Sequence, residues 1–233
     1  YGTFSPPSAP AASPTPTPSA VPTQTPTATP TTAPAADTVL VADTFTSSFM
    51  APLNRTETGD RPYLVYNTTP GNWVKQDGFA SDPSTQSSLN SMTVVDVGSP
   101  DGYIQGDFGF GRTASNALYV RVVDGRNWIR LRVDFRNVGE VVYTLVLESA
   151  KNGAITEYGR FSMADNPPWD IRVTMSGTTI SSSLSYYSGG SRVSGPSATI
   201  TDYATATKHG IGEATSTVEN GASGFDKFTI QAG

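Results

Sequence analysis

The chain has 233 residues, 15 Lys and Arg against 20 Asp and Glu, a formal net charge of -5, one histidine and no cysteine. Disulfides, thiolate catalysis and cysteine-ligated metals are thereby excluded, and nucleic acid is a poor match because phosphate binding calls for clustered Lys and Arg. Apolar runs are only a handful of residues, far short of the roughly 20 that span a bilayer, so no membrane insertion is predicted.

The first predicted element is a spacer. Every charged side chain lies at or after Asp37, and from Ser5 to Ala36 the chain is nearly all Pro, Thr, Ser and Ala. Such a composition buries too little apolar area to offset its ordering entropy, and its prolines favour extended polyproline II. At about 3.1 Å per residue, residues 1–36 would reach roughly 110 Å. They read as a linker, or as the stalk of an oligomeric appendage in which copies run side by side, most simply as a homotrimer. Thr/Pro tracts also suit O-glycosylation. A start at Tyr1, without Met or a charged leader, reads as a cut or processed chain.

From Asp37 to Gly233 the chain reads as one all-β domain. No window carries an apolar stripe at helical spacing over three turns, whereas period-two alternation recurs. Strands are predicted at Val39 to Phe45, Ser91 to Val97, Tyr103 to Phe110, Ala117 to Val123 and Trp128 to Phe135. Six more follow at Val141 to Glu148, Ile155 to Phe161, Ile171 to Met175, Thr179 to Tyr187, Gly210 to Ala214 and Phe225 to Gln231. The stretch from Thr46 to Phe79 is the longest irregular region. Turn signals such as Asp124-Gly125-Arg126-Asn127, Lys151-Asn152-Gly153 and Ser176-Gly177 lie between the strands and favour antiparallel hairpins. Many short strands with one apolar face each predict a two-sheet antiparallel jelly-roll sandwich.

A resemblance rests on particular residues. Asp43-Thr44-Phe45, Thr58-Gly59-Asp60, Asn72-Trp73-Val74, Ala117 to Asp124, Asn127 to Leu131, Trp169 to Val173, Gly210-Ile211-Gly212 and Gly224 to Phe228 occur in that order. From 38 to 231 the chain thus resembles the concanavalin A-like, laminin-G-like jelly rolls that recur in minor tail proteins of actinobacterial phages and in secreted bacterial carbohydrate-active proteins. Catalytic relatives on this fold cleave glycans with paired carboxylates. The six glutamates, Glu57, Glu140, Glu148, Glu157, Glu213 and Glu219, include none with another acid at i+2 or i+4, so the Glu-x-Asp-x-Glu arrangement of laminarinase-type enzymes is missing. Glu148 and Glu157 can still meet across a hairpin. His209 reads as a loop histidine rather than a base.

A candidate ligand platform comes from the hairpin closed by Asp124 to Asn127. Its turn predicts that Tyr119 faces Arg132, Arg121 faces Arg130 and Val123 faces Trp128, on the side away from Leu118, Val120, Ile129 and Leu131. Facing arginines need an anion, from Glu148, from Asp134 or from a ligand. Tyr119, Arg121, Trp128, Arg130, Arg132 and Glu148 therefore read either as a solvated, internally paired sheet face or as a glycan platform. Tyr63 and Trp73 either line a loop-built site or plug one end of the sandwich.

Asp43 and Asp226 share faces with apolar neighbours by alternation, which points both carboxylates at the core near strand ends. Each then accepts N–H bonds from a turn, or the two hold a structural calcium together with backbone carbonyls. The resemblance and the stalk together imply a non-catalytic carbohydrate-recognition or adhesion module of a phage tail or similar virion appendage. Its expected partners are a host cell-surface glycan and other virion tail proteins. The alternatives are a purely structural virion projection and a secreted carbohydrate-binding module or glycan-active enzyme.

Overall fold

The computed structural model describes residues 38–68, 72–82, 90–108, 115–137, 141–163, 169–186, 190–214 and 224–233. The Pro/Thr-rich segment 1–36, with the stalk and trimer expectations attached to it, lies outside these residues. Among them the chain runs through β1 (Val39–Asp43), β2 (Ala51–Pro52), β3 (Leu64–Tyr66), β4 (Val74–Gln76), β5 (Phe79–Ser81), β6 (Met92–Asp96), β7 (Gly102–Phe108) and β8 (Ser115–Asp124). It continues through β9 (Asn127–Asn137), β10 (Val141–Lys151), β11 (Ala154–Met163), β12 (Trp169–Ser176), β13 (Thr179–Ser185), β14 (Val193–Thr199), β15 (Lys208–Ala214) and β16 (Phe225–Ala232).

All eleven predicted strands are present, and every pairing is antiparallel. One sheet has seven strands in the order β11-β10-β9-β8-β15-β6-β3; the other runs β14-β13-β12-β7-β16-β5-β4-β2, with β1 also paired to β16. The architecture is the two-sheet jelly-roll sandwich that the alternation predicts. Strands β2, β3 and β4 fall inside the region expected to be irregular, and each is only two or three residues long. The unpredicted β14 carries Gly195 and Pro196, residues that argue against a strand. It tolerates them because it is the last strand of its sheet, where a missing N–H breaks no ladder.

The core lies between the sheets. Leu118, Val120, Ile129, Leu131, Leu145, Leu147 and Ile211 from the seven-stranded sheet meet Ile104, Ile171, Val173, Ile180, Phe225, Phe228 and Ile230 from the other. Trp73 and Tyr63 belong to this core, which decides their role in favour of plugging the sandwich. The indole N–H of Trp73 donates to Ser91 Oγ at 2.9 Å, and the Tyr63 hydroxyl donates to Asp43 at 2.8 Å. Each large side chain thereby keeps a partner for its polar tip, as burial requires.

The seven-stranded sheet is apolar on its outer side too. Met92, Val94, Ala117, Tyr119, Val122, Trp128, Ala150 and Ala214 form a second buried cluster there, with Tyr66 packed against it. Gly212 is needed at this place. A Cβ on it would stand 2.5 Å from the Tyr119 ring and 2.5 Å from the Ser91 carbonyl, so only glycine lets the ring lie across β15.

Candidate functional site

The hairpin of β8 and β9 closes as predicted at Asp124 opposite Asn127, but its register changes within four residues. Val120 faces Ile129, Tyr119 faces Arg130 and Ala117 faces Arg132. Between Val120 and Asp124, β8 spends three residues against the one, Trp128, on β9. This bulge holds Arg121 at a φ of 51°, in the left-handed region.

Arg121 consequently leaves the predicted platform. Its guanidinium reaches the Asp101 carboxylate at 2.9 Å and the carbonyls of Gly177 at 2.6 Å and Pro100 at 3.2 Å, tying the seven-stranded sheet to turns of the other. His209 secures the bulge. Its Nδ1 accepts the Arg121 backbone N–H at 3.1 Å, which leaves Nε2 to carry the proton and donate to the Ser99 carbonyl at 3.0 Å. The imidazole is fully buried on β15 and is no loop residue. Burial, opposed by the bond to Ser99 and reinforced by the Arg121 charge, lowers its pKa to about 4.

The remaining candidates do meet, although not on a wet face. Trp128 is 1% exposed, Arg130 2% and Glu148 3%, so the expected solvent-facing platform is a covered one. Tyr119 packs edge-on against Trp128, and the Arg130 guanidinium lies 4.4 Å from the Trp128 ring centre. The guanidinium occupies the place where a sugar would stack. Glu148 sits directly opposite Arg130, one diagonal step nearer than expected.

From Arg130 outward the charges alternate in sign across β9, β10 and β11. Arg130 donates to Glu148 at 2.6 Å, to the Tyr119 hydroxyl at 2.8 Å and to the Asn90 side-chain carbonyl. Arg132 donates to the same Glu148 oxygen at 3.0 Å and pairs with Asp134 at 3.2 Å. Arg160 approaches Asp134 at 3.9 Å and binds Glu157 at 2.5 Å. The ladder opens toward solvent along this line: the side chain of Arg130 is 2% exposed, that of Arg132 15% and that of Arg160 43%. Sequence reasoning missed Arg160. The register of the Lys151-Asn152-Gly153 turn alone would set Gly159 opposite Val146; a bulge between Leu147 and Glu148 brings Arg160 there instead, in line with Arg132 across Val146.

The two acids proposed for calcium have separate partners. Asp43 accepts the Phe45 N–H at 2.8 Å and the Tyr63 hydroxyl, so the turn alternative holds for it. Burial raises its pKa against these two hydrogen bonds. Strands β1 and β16 are indeed neighbours, but a bulge between Phe225 and Lys227 sets Asp226 beside Asp107 and Lys227. Among the described residues no group of three or more His, Cys, Asp or Glu side chains is placed to hold a metal ion.

No known family model matches the chain, and no curated protein sequence does. Solved structures do resemble it. The CBM2 module of the evolved Dit of Lactobacillus casei BL23 phage J-1 superposes with a TM-score of 0.51 at 10% identity, covering 82% of this chain and 96% of that one. A xylan β-1,4-xylosidase from Bacillus halodurans C-125 superposes with a TM-score of 0.50 at 11% identity over 82% of this chain, which spans only 38% of the xylosidase. At such identities the likeness is one of fold alone, the two-sheet jelly-roll sandwich described above.

Proposed function

We propose that the protein is a non-catalytic carbohydrate-recognition module, serving adhesion on a phage tail or similar appendage and binding a host surface polysaccharide. The observation that carries this reading is the charge ladder on the outer face of the seven-stranded sheet. Its outer members, Arg132, Asp134, Arg160 and Glu157, offer guanidinium forks beside carboxylates, the pairing that grips vicinal hydroxyls. Its inner members are immobilised by burial, so the forks are held in place before a ligand arrives. Recognition is polar, because Trp128 lies beneath Arg130 and its ring is closed to a sugar. The Pro/Thr-rich segment would serve as spacer and seat of oligomerisation.

One observation favours a second reading, a glycan-active enzyme: Glu148 and Glu157 are cross-strand partners on β10 and β11. Both carboxylates are taken, however, by Arg130 and Arg132 in one case and by Arg160 in the other. Neither has a free oxygen pair facing the other to share between acid and nucleophile.

The test is binding of the full chain to a glycan array and to envelope fractions, with reducing-sugar release measured alongside. Binding without release is expected. Arg132→Ala should weaken it about 10- to 100-fold, the worth of one charge-assisted hydrogen bond of ~1.5–3 kcal/mol. Binding to no array glycan and no envelope fraction would overturn the reading, and sugar release would replace it with the enzymatic one.

A further inference from the structure

The outer face of the nine-stranded sheet carries a second polar cluster, unrelated to the ladder. Asp107 on β7 faces Asp170 on β12 and Lys227 on β16, and Asp226 stands in the neighbouring bulge. Two carboxylates directly opposed on a sheet repel. Here donors offset the repulsion on one oxygen of each: Lys227 pairs with Asp107 Oδ2 at 2.9 Å, while Gln105 donates to Asp170 Oδ2 at 2.7 Å and Arg192 pairs with it at 3.2 Å.

The other oxygens have no donor. Asp107 Oδ1, Asp170 Oδ1 and Asp226 Oδ1 are each closed to solvent and without a hydrogen-bond partner, and Asp170 as a whole is 3% exposed. Native structures rarely leave buried acceptors in this state, and three in one patch call for an occupant. Burial, countered by Arg192, raises the Asp170 carboxyl, and burial together with the Asp107 charge raises Asp226.

The kind of occupant follows from charge. The three carboxylates are already balanced by Lys227, Arg192 and Arg172, which act on them electrostatically. A divalent cation would leave the patch positive, and no metal-binding arrangement exists among the described residues. What the patch lacks is neutral hydrogen-bond donors. We propose that Asp107, Asp170 and Asp226 form the floor of a second binding site, for the hydroxyl groups of a neutral saccharide. Lys227, whose side chain is 43% exposed and held by one ion pair, swings aside to admit the ligand and then donates to it. The site lies on the opposite face of the sandwich from the ladder and does not rest on that assignment.

The side-chain amide of Gln105 reports on this site because it donates to Asp170. In ¹H–¹⁵N spectra of the full chain, xylohexaose and cellohexaose are titrated separately to about 10 mM, a ceiling suited to weak saccharide affinity. A saturable shift of the Gln105 amide is expected with at least one of them. It should persist in Arg132→Ala and need at least about tenfold more sugar in Asp226→Asn, whose changed residue lies three positions along β16 from Thr229, the cross-strand partner of Gln105. No shift with either sugar, a shift produced by calcium chloride alone, an unchanged titration in Asp226→Asn, or loss of the shift in Arg132→Ala would each overturn the assignment. Failure here leaves array binding through Arg132 intact, so the two sites are judged separately.

Discussion

The neutral, buried His209 makes stability depend on pH in a calculable way. Both ring nitrogens are engaged only in the neutral form, and a second proton would sit against the Arg121 N–H. The folded-state pKa is about 4, against 6.5 for the free side chain. Between these values the unfolded chain binds a proton that the native protein does not, so stability is full above about pH 6.5 and falls as the pH drops toward 4. At ~1.4 kcal/mol per pH unit the loss amounts to roughly 3 kcal/mol when complete, and about 2 to 3 kcal/mol at pH 4.5. Asp43, Asp170 and Asp226 titrate in the opposite sense: their raised folded-state values make the native state the better proton binder as the pH falls. The measurement must therefore be differential. Urea unfolding of the full chain is followed from pH 7 to 4.5 beside His209→Asn, whose amide oxygen can take the place of Nδ1. The carboxyl contributions cancel between the two proteins, and the wild type should lose about 2 to 3 kcal/mol relative to the variant. Parallel curves would refute the assignment of a buried neutral imidazole.

Three further substitutions probe the covered face. Trp128→Ala should cost about 3–5 kcal/mol, read as a large drop in thermal midpoint, because the ring is buried against Tyr119 and Arg130; a cost below about 1 kcal/mol would mean that the ring faces solvent. Arg130→Met or Glu148→Leu alone should each destabilise by about 3–5 kcal/mol by stranding a buried charge, while the double substitution should recover most of that loss. Denaturant titration of the three variants completes the cycle, and strictly additive losses would contradict a coupled pair.

The legible part of the fold was the part fixed by local alternation. Ile129, Leu131 and Val133 point inward as read, and the Asp124 to Asn127 turn closes its hairpin. The slip at Arg121 carried no local signal, because what holds the bulge comes from Asp101, Gly177 and His209, 20, 56 and 88 positions away. Once the register slipped, every cross-strand partner predicted for Tyr119, Arg121 and Val123 changed. The wet side of β9 was misread for a related reason. Arg and Trp at alternating positions usually mark a solvated face, yet here Gly212 of β15 leaves room for the Tyr119 ring that packs on Trp128, and Glu148 pairs with the Arg130 guanidinium. Asp226 was misplaced by a bulge too, since strict alternation counts residues and a bulge adds one.

The buried half of the ladder bears on function through its energetics. An ion pair such as Arg130 with Glu148 loses most of its Coulombic gain to desolvation, and apolar side chains of similar volume would stabilise the sheet as well or better. Stability therefore gives no reason for a charged pair at the centre of β9 and β10. Position does. Glu148 Oε1 receives both Arg130 and Arg132, so the immobile inner arginine fixes the carboxylate, and the carboxylate fixes the guanidinium that emerges toward solvent. Holding a long side chain in one rotamer ordinarily costs about 0.5–1.5 kcal/mol when a ligand binds. In Arg132 that cost is met during folding, before any ligand arrives, which is the arrangement that the proposed recognition surface requires.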